Sequence, residues 1–434
     1  MRTRIFLIFL FIFSLKVVVV AQHTITGQLK PVGDYKTMLL YKTVGAFQYY
    51  KASSPIDSLG LFGFALPESF ENGSYRLVYD TRNNLYINII YNNENISFVC
   101  DPNNLINSIY FYDSEENSLF FDYVRTINKK YIALDSIQKE YYENPTGKLA
   151  KLYTYKRKEV DAYQNYFETE SKGKVVNHFI IAFKKYLSKT PLNSQKEYYA
   201  LLKENYLNSI NFQDTVLRNS SFILDRLLEY TFDLNEITAR KNNTYLDVKM
   251  IDVALKRIEP SKFKNEIIYS LTSSAFDPYL STYDKLLDYL YKNYYVNLPK
   301  EAKTESFTEM IVLKLNAIVG KQAPMINFDE GNLYSIKEDT TLLVFWSTTC
   351  SHCLKEVPKV YDALIENENV KIVMIGLEDE YSDWENAVKF FPKSIQKRAN
   401  GKWTNKIAIS YNVKGTPAYF VLIKIKKLLQ SQTN

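Results

Sequence analysis

Between His23 and Pro102 apolar and polar residues alternate, and turn-forming residues separate the alternating stretches. Thr24-Ile25-Thr26-Gly27, Met38 to Tyr41, Leu61 to Phe64, Tyr75 to Tyr79, Ile87 to Ile90 and Ile96 to Val99 each read as a short strand, because alternation puts every second side chain on one face of a sheet. Strands recurring roughly every ten residues predict a small antiparallel sandwich or barrel. From Asn104 to Lys303 the period lengthens to that of a helix. Leu119, Phe120, Tyr123, Val124 and Ile127 share one face, and Asn144-Pro145-Thr146-Gly147 ends that run before a second helix begins near Lys148. Further helices are predicted over 194–207, 214–234, 248–257, 262–273 and 283–294. Their Leu, Ile, Phe and Tyr, and His178 within 175–187, read as packing core, and the Lys and Glu positions between them as solvated faces. The last region alternates strand and helix. The apolar run Leu342-Leu343-Val344-Phe345-Trp346 precedes a helix, then come a strand from Val370 to Leu377, a helix, and the strand-like Ala418 to Ile423.

The start of the 434-residue chain has a different character. Arg2 and Arg4 precede the apolar run Ile5 to Leu15, and Val19-Val20-Ala21 suits cleavage before Gln22, so residues 1–21 read as a signal peptide. Lys16 interrupts the run short of the about 20 apolar residues a membrane span needs, and no cysteine follows for lipid attachment. No other stretch approaches that length. The expected organisation is a signal peptide over 1–21, an antiparallel β-domain over 22–103, a helical domain over 104–303 and an α/β domain over 304–434. A net charge of +6 without a basic repeat or glycine-rich loop excludes nucleic-acid binding from the expectation. The 15% aromatic content, with 36 tyrosines, predicts well-buried folded domains.

The chemistry is concentrated in Cys350-Ser351-His352-Cys353, where the apolar run turns into a helix. A sulfur at a helix N-terminus meets unpaired N–H groups and the helix dipole, both of which favour the thiolate. Only the thiolate attacks a disulfide, so the placement makes a redox nucleophile of Cys350. A zinc site would need two more ligands. Cys100, His23 and His178 are scattered along the chain and no second CxxC exists. A purely structural disulfide would close a tiny loop and remove little unfolded-state entropy. Cys100, in an alternating run, reads as a core thiol. Neither a metal nor another cofactor is expected.

Residues from about 319 to 434 resemble the thioredoxin superfamily, and within it the TlpA/ResA-like envelope thiol–disulfide oxidoreductases. The resemblance rests on Ala323-Pro324, Phe345-Trp346, Cys350 and Cys353, Glu356, Pro358 and Thr416-Pro417. It implies a cis Pro417 against the dithiol and pairing of the Thr416 backbone with an extended substrate segment. Asp57 to Phe62 and Asn72 to Arg76 resemble, more loosely, a small β-domain that precedes such modules. Peroxiredoxins have a Thr three residues and a Pro seven residues before the reactive cysteine, where this chain has Ser347 and Leu343. Copper-carrying relatives space their cysteines more widely. The buried acid that thioredoxins carry six residues before the first cysteine is replaced by Val344. Glu356, on the helix face of Cys353, is then the expected proton partner of Cys353. His352 would tune the Cys350 thiolate, and Trp346 would wall the site. Only 17 residues follow Pro417, too few for a strand pair and the closing helix of the fold, and the turn Lys424 to Lys427 lacks the Gly or Asn of tight hairpins. The expectation is thus a multidomain α+β protein: an N-terminal antiparallel β-domain, a central helical region, and a C-terminal α/β thioredoxin-like domain lacking the last helix. It would exchange its dithiol with client proteins carrying disulfides or thiols in the periplasm, supplied by a membrane electron donor. The alternative is an envelope partner-binding protein whose shortened thioredoxin module is nearly inactive.

Overall fold

The computed structural model describes residues 21–242, 245–277, 282–316, 318, 320–424 and 426–433. The expected signal peptide lies, but for Ala21, outside the described residues. No described helix is long and apolar enough to cross a membrane. The chain forms two compact units, residues 1–245 with 256–259, and residues 246–255 with 260–434.

In the first unit, β1 (Ala21–Leu29), β2 (Thr37–Val44), β3 (Phe47–Pro55), β4 (Leu61–Pro67), β5 (Gly73–Asp80), β6 (Leu85–Tyr91) and β7 (Ile96–Cys100) precede a short helix α1 (Leu105–Ser108) and β8 (Tyr110–Asp113). They make two four-stranded sheets, ordered β4-β1-β7-β8 and β3-β2-β5-β6. Alternation is direct in the burial: Phe62, Phe64 and Leu66 of β4 face inward while their neighbours face out. Ile25, Phe62 and Phe98 from one sheet and Leu40, Leu77 and Ile89 from the other share one core, so the sheets pack face to face. The pairing is antiparallel except between β1 and β7, which run parallel. Cys100 lies in this core, and burial pushes its thiol up to about 12.

The helices that follow are α2 (Glu115–Glu143), α3 (Gly147–Glu170), α4 (Val176–Phe183), α5 (Gln195–Asn205), α6 (Thr215–Arg218), α7 (Phe222–Leu228) and α8 (Asn235–Asn242). Ser114 and Thr146 cap α2 and α3, their hydroxyl oxygens accepting from the N–H groups of Asn117 and Leu149. The continuous helix expected over 214–234 is instead broken. The Ser220 hydroxyl donates to the Leu217 carbonyl and accepts from the Phe222 N–H, the kind of local competition by which Ser interrupts a helix. A π-helical turn then covers Glu229–Leu234 and buries Tyr230, Thr231, Phe232 and Leu234 together.

The second unit begins with α9 (Lys249–Lys256), α10 (Lys262–Ala275), α11 (Asp284–Asn293) and α12 (Glu305–Asn316). Then come β9 (Thr340–Trp346), α13 (Ser351–Leu364), β10 (Val370–Gly376), α14 (Tyr381–Val388), β11 (Ile395–Arg398), α15 (Lys406–Ser410), β12 (Ala418–Ile423) and β13 (Leu428–Thr433). The sheet order is β11-β10-β9-β12-β13, with β9, β10 and β11 parallel and the last two strands antiparallel. One face packs Leu343, Phe345, Val373 and Phe420 against Ala408 and Tyr411; the other packs Val344, Trp346 and Met374 against Cys353, Val357 and Tyr361 of α13. The turn into β13 puts Lys426 at φ 54, a left-handed position usual for Gly or Asn. Its ammonium is buried and donates to Thr341 Oγ1 at 2.9 Å. Among the described residues no helix follows β13.

Gly376 ends β10 beneath the Trp384 ring of α14, and an added Cβ would stand 2.5 Å from Trp384 Cδ1. Gly376→Ala should therefore cost about 1–3 kcal/mol, the usual penalty of overpacking, visible as a lower thermal midpoint of the reduced protein. An unchanged midpoint would mean that the Trp384 ring moves aside freely.

Candidate active site

β9 is the central strand of its sheet, and every side chain from Thr341 to Trp346 is buried. The chain leaves it at Ser347 and enters α13 at Ser351, so the turn between them must satisfy its own backbone. Ser347 Oγ accepts from the Thr349 N–H at 3.2 Å, and the Ser347 carbonyl accepts from the Cys350 N–H at 3.2 Å. The Thr348 N–H donates to the carboxylate of Glu378, which is buried beyond the end of β10.

Cys350 is the N-cap of α13. Its backbone is extended, and its sulfur accepts from the Cys353 N–H at 3.1 Å, where Ser or Thr oxygens cap α2 and α3. The Cys350 thiol donates to the Thr416 carbonyl at 3.4 Å. The Thr416–Pro417 peptide bond is cis. Both thiols are free. Burial opposes ionisation of Cys350. Hydrogen bonds from the side chains of Cys353 and Thr416 and from the N–H groups of Cys353 and His352 outweigh it, holding this thiol below its ordinary range. Cys353 has no exposed surface. Burial first, then its hydrogen bond to Cys350, pushes it up to about 11.

The fold thus brings Cys350, Cys353, Thr416 and Pro417 together. Trp346 packs behind them in the cluster that holds Cys353, its ring edge-on to Phe391 at 5.3 Å, with Nε1 buried and unbonded. His352 is exposed on the first turn of α13. Glu356 is 41% exposed and pairs with Lys359 at 3.0 Å. That hydrogen bond, with the charge of Lys359, holds its carboxyl below the usual range. Asp379 accepts from the Gly401 N–H at 3.0 Å.

Two further residues belong to the site. Glu378 anchors the turn, as above. Tyr419 of β12 pairs across the sheet with Val344, so its side chain lies on the α13 face among the residues around Cys353. Its hydroxyl is buried and has no hydrogen-bond partner. Burial first, then the nearby charges of Cys353, Glu356 and Cys350, pushes it up to about 12. The alternation after Pro417 put Tyr419 on the face opposite Ala418 and Phe420, but only the register with Val344 sets it beside the dithiol.

A family model described as thioredoxin-like matches residues 338–427. No curated protein matches the chain. Among solved structures, a thioredoxin-like protein from Bacteroides caccae is 19% identical, covering 58% of this chain and 94% of that one with a TM-score of 0.35. The thioredoxin domain of a thiol-disulfide oxidoreductase from Bacteroides vulgatus is 23% identical over 27% of this chain and 89% of that one, TM-score 0.24. A thiol-disulfide oxidoreductase from Bacteroides fragilis is 22% identical over 26% of this chain and 91% of that one, TM-score 0.24. Residues 338–427 form a thioredoxin-like domain, and the dithiol sits within it.

The two thiols should separate in a pH series of alkylation. Cys350 should react faster near neutral pH and gain rate through a pKa below the ordinary thiol value, whereas Cys353 should gain rate only towards about 11. Stability follows the same sign. The folded pKa of Cys350 is depressed, so its ionisation stabilises the reduced fold above that pKa, fully so above the unfolded value, and the gain is lost as pH falls through it. Equal alkylation rates at both cysteines would remove the asymmetry.

Proposed function

We propose that this protein is an envelope thiol–disulfide oxidoreductase of the TlpA/ResA-like kind, exchanging the Cys350–Cys353 dithiol with client proteins. The reading is carried by the Cys350 sulfur capping α13 beside the Thr416 carbonyl, with the second thiol buried behind it. The Cys350 thiolate attacks one sulfur of a client disulfide. A bond forms between Cys350 and the client, the client S–S bond breaks, and the leaving client sulfur takes up a proton. Cys353 then loses its proton and attacks the Cys350 sulfur, releasing the second client thiol. Two electrons pass to the client together with the Cys353 proton, the second proton comes from solvent because Cys350 starts as the thiolate, and Cys350–Cys353 is left as a disulfide. Run backwards, the same steps oxidise a client dithiol. Continued reduction of clients in the periplasm needs a membrane partner that returns electrons to the pair. The Thr416 backbone pairs with the extended client segment, and His352 tunes the first thiolate.

The second step is governed by Cys353, whose thiolate must form in a buried place. Glu356 is the proton acceptor that the resemblance implies. Its carboxylate is ionised at neutral pH and drawn towards Lys359. The Tyr419 hydroxyl is an unsatisfied donor close enough to Cys353 to feel its charge. It supports a reading in which Tyr419 donates a hydrogen bond to the Cys353 thiolate as that thiolate appears.

Reduction of a small disulfide by the reduced protein tests the activity, with Cys353→Ser expected to trap clients as mixed disulfides and Cys350→Ser to trap few. No turnover, and no trapping, would turn the assignment to the partner-binding alternative. In single-turnover exchange, Tyr419→Phe should slow resolution while leaving the first attack intact. A hydrogen bond to a charged group is worth about 1.5–3 kcal/mol, or roughly 10- to 100-fold in rate. Slowing by Glu356→Gln with wild-type resolution in Tyr419→Phe would instead give the role to Glu356.

A further inference from the structure

The helical part of the first unit encloses a cavity of about 440 Å³ that has no part in the dithiol chemistry. It lies within the range of small-molecule sites, about 300–1,000 Å³. Residues of α2, the segment 185–188, α5 and the α7–π-turn region line it. Tyrosine rings dominate the walls, among them Tyr131, Tyr142, Tyr198 and Tyr206.

What sets this cavity apart from ordinary packing is its spare hydrogen-bonding capacity. Arg226 is only 6% exposed, and its Nε has no partner among the described residues. Its Nη1 is bonded to Glu229, and its guanidinium lies 4.2 Å above the Tyr206 ring. The hydroxyl of Tyr142 is also buried without a partner, while that of Tyr206 faces the Glu229 carboxylate. Lys185 makes no ion pair among the described residues; its ammonium stands 4.9 Å from the Tyr131 ring centroid. Burial lowers its pKa; the charge of Asp135 opposes that and the charge of Arg226 adds to it, so the two cations and the Asp135 carboxylate share one region.

Three carboxylates share the lining, and two are committed. Glu229 holds Arg226, and Asp135 accepts from the Tyr198 hydroxyl at 2.5 Å. Burial, followed by the charges of Glu229 and Glu236, raises Asp233. The unused capacity is therefore mostly that of donors, two of them cationic, among flat apolar rings. Water would satisfy the donors but leave the ring faces wet. An aromatic acid satisfies both.

We propose that this cavity is a binding site for a small aromatic organic anion, its ring held between tyrosine faces and its acidic group taken by Lys185 beside the charge of Arg226. The proposal is independent of the redox assignment.

Titration of the full chain with 8-anilinonaphthalene-1-sulfonate, an aromatic anion that fluoresces on burial, tests it. Saturable binding of one probe per chain is expected. Lys185→Met should weaken it about tenfold, the effect of losing one charge-assisted hydrogen bond. Leu202→Trp, which fills the cavity, should abolish it. 2-Naphthoate should displace the probe at least about tenfold better than 2-naphthamide, by the same loss of charge. Far-UV circular dichroism checks that each variant folds, and Lys185→Gln or Leu201→Phe replaces one that does not. Absence of saturable binding, binding unaltered by both variants, or equal displacement by the neutral amide would overturn the proposal, the first two leaving a water-filled cavity only.

Discussion

The hydrogen bond from the Cys353 N–H to the Cys350 sulfur is the contact on which the C-terminal unit depends. Every helix begins with N–H groups that its own carbonyls cannot reach. Elsewhere in the chain Ser114, Thr146, Ser194, Asp214 and Ser261 meet them with oxygen. At α13 a sulfur does so. A thiol is a weaker acceptor than a hydroxyl, but it can ionise, and in that state it becomes a charge-assisted cap in the field of the helix N-terminus. The helix start is thereby linked to the protonation and redox state of one atom.

That linkage requires the turn from β9 into α13 to hold its shape. The central position of β9 buries the strand before the turn, and the hydroxyl of Ser347 and the carboxylate of Glu378 take backbone donors within it. Gly376, whose missing Cβ lets Trp384 lie close, stands two residues before Glu378. On the other side the Thr416 carbonyl closes against Cys350. The same arrangement leaves Cys353 wholly buried, so the two thiols differ in acidity although they are one helical turn apart. A stabilised Cys350 thiolate favours the dithiol over the disulfide and so shifts the pair in the oxidising direction.

The dithiol, the strand that delivers it and the Thr-Pro segment opposite were legible because each is written in consecutive residues. So were the short strands of the sandwich and helices such as α5, α9, α10 and α11, whose ends lie within a few residues of the expected ones. Other features depend on register or on competition, which periodicity does not record. The parallel pairing of β1 with β7 joins Ile25 to Ile96 across the sequence. The break at Ser220 and Ser221 turns on the Ser220 hydroxyl bonding nearby backbone groups. Tyr419 reaches the dithiol only because β12 pairs it with Val344, the position where the resemblance had led one to look for an acid. Lys426 takes the left-handed position in a turn that lacks Gly or Asn, and its long side chain finds Thr341.

Helical spacing reads the tyrosines between Asn104 and Lys303 as core, and buried tyrosines there and elsewhere find hydrogen-bond partners. Tyr123 bonds Gln164, Tyr411 the Pro324 carbonyl and Tyr79 the Pro102 carbonyl. A buried hydroxyl left unbonded costs about 1–3 kcal/mol, so packing alone favours either a partner or a Phe. Among the described residues Tyr142 and Tyr419 keep a buried hydroxyl unbonded. Each stands beside an ionisable group, Tyr419 by the thiols and Tyr142 in the cavity of Lys185 and Arg226. A phenylalanine would fill either place without that penalty. What it would lack is a donor for the charge proposed to appear beside it: a Cys353 thiolate formed during exchange in one case, a bound anion in the other.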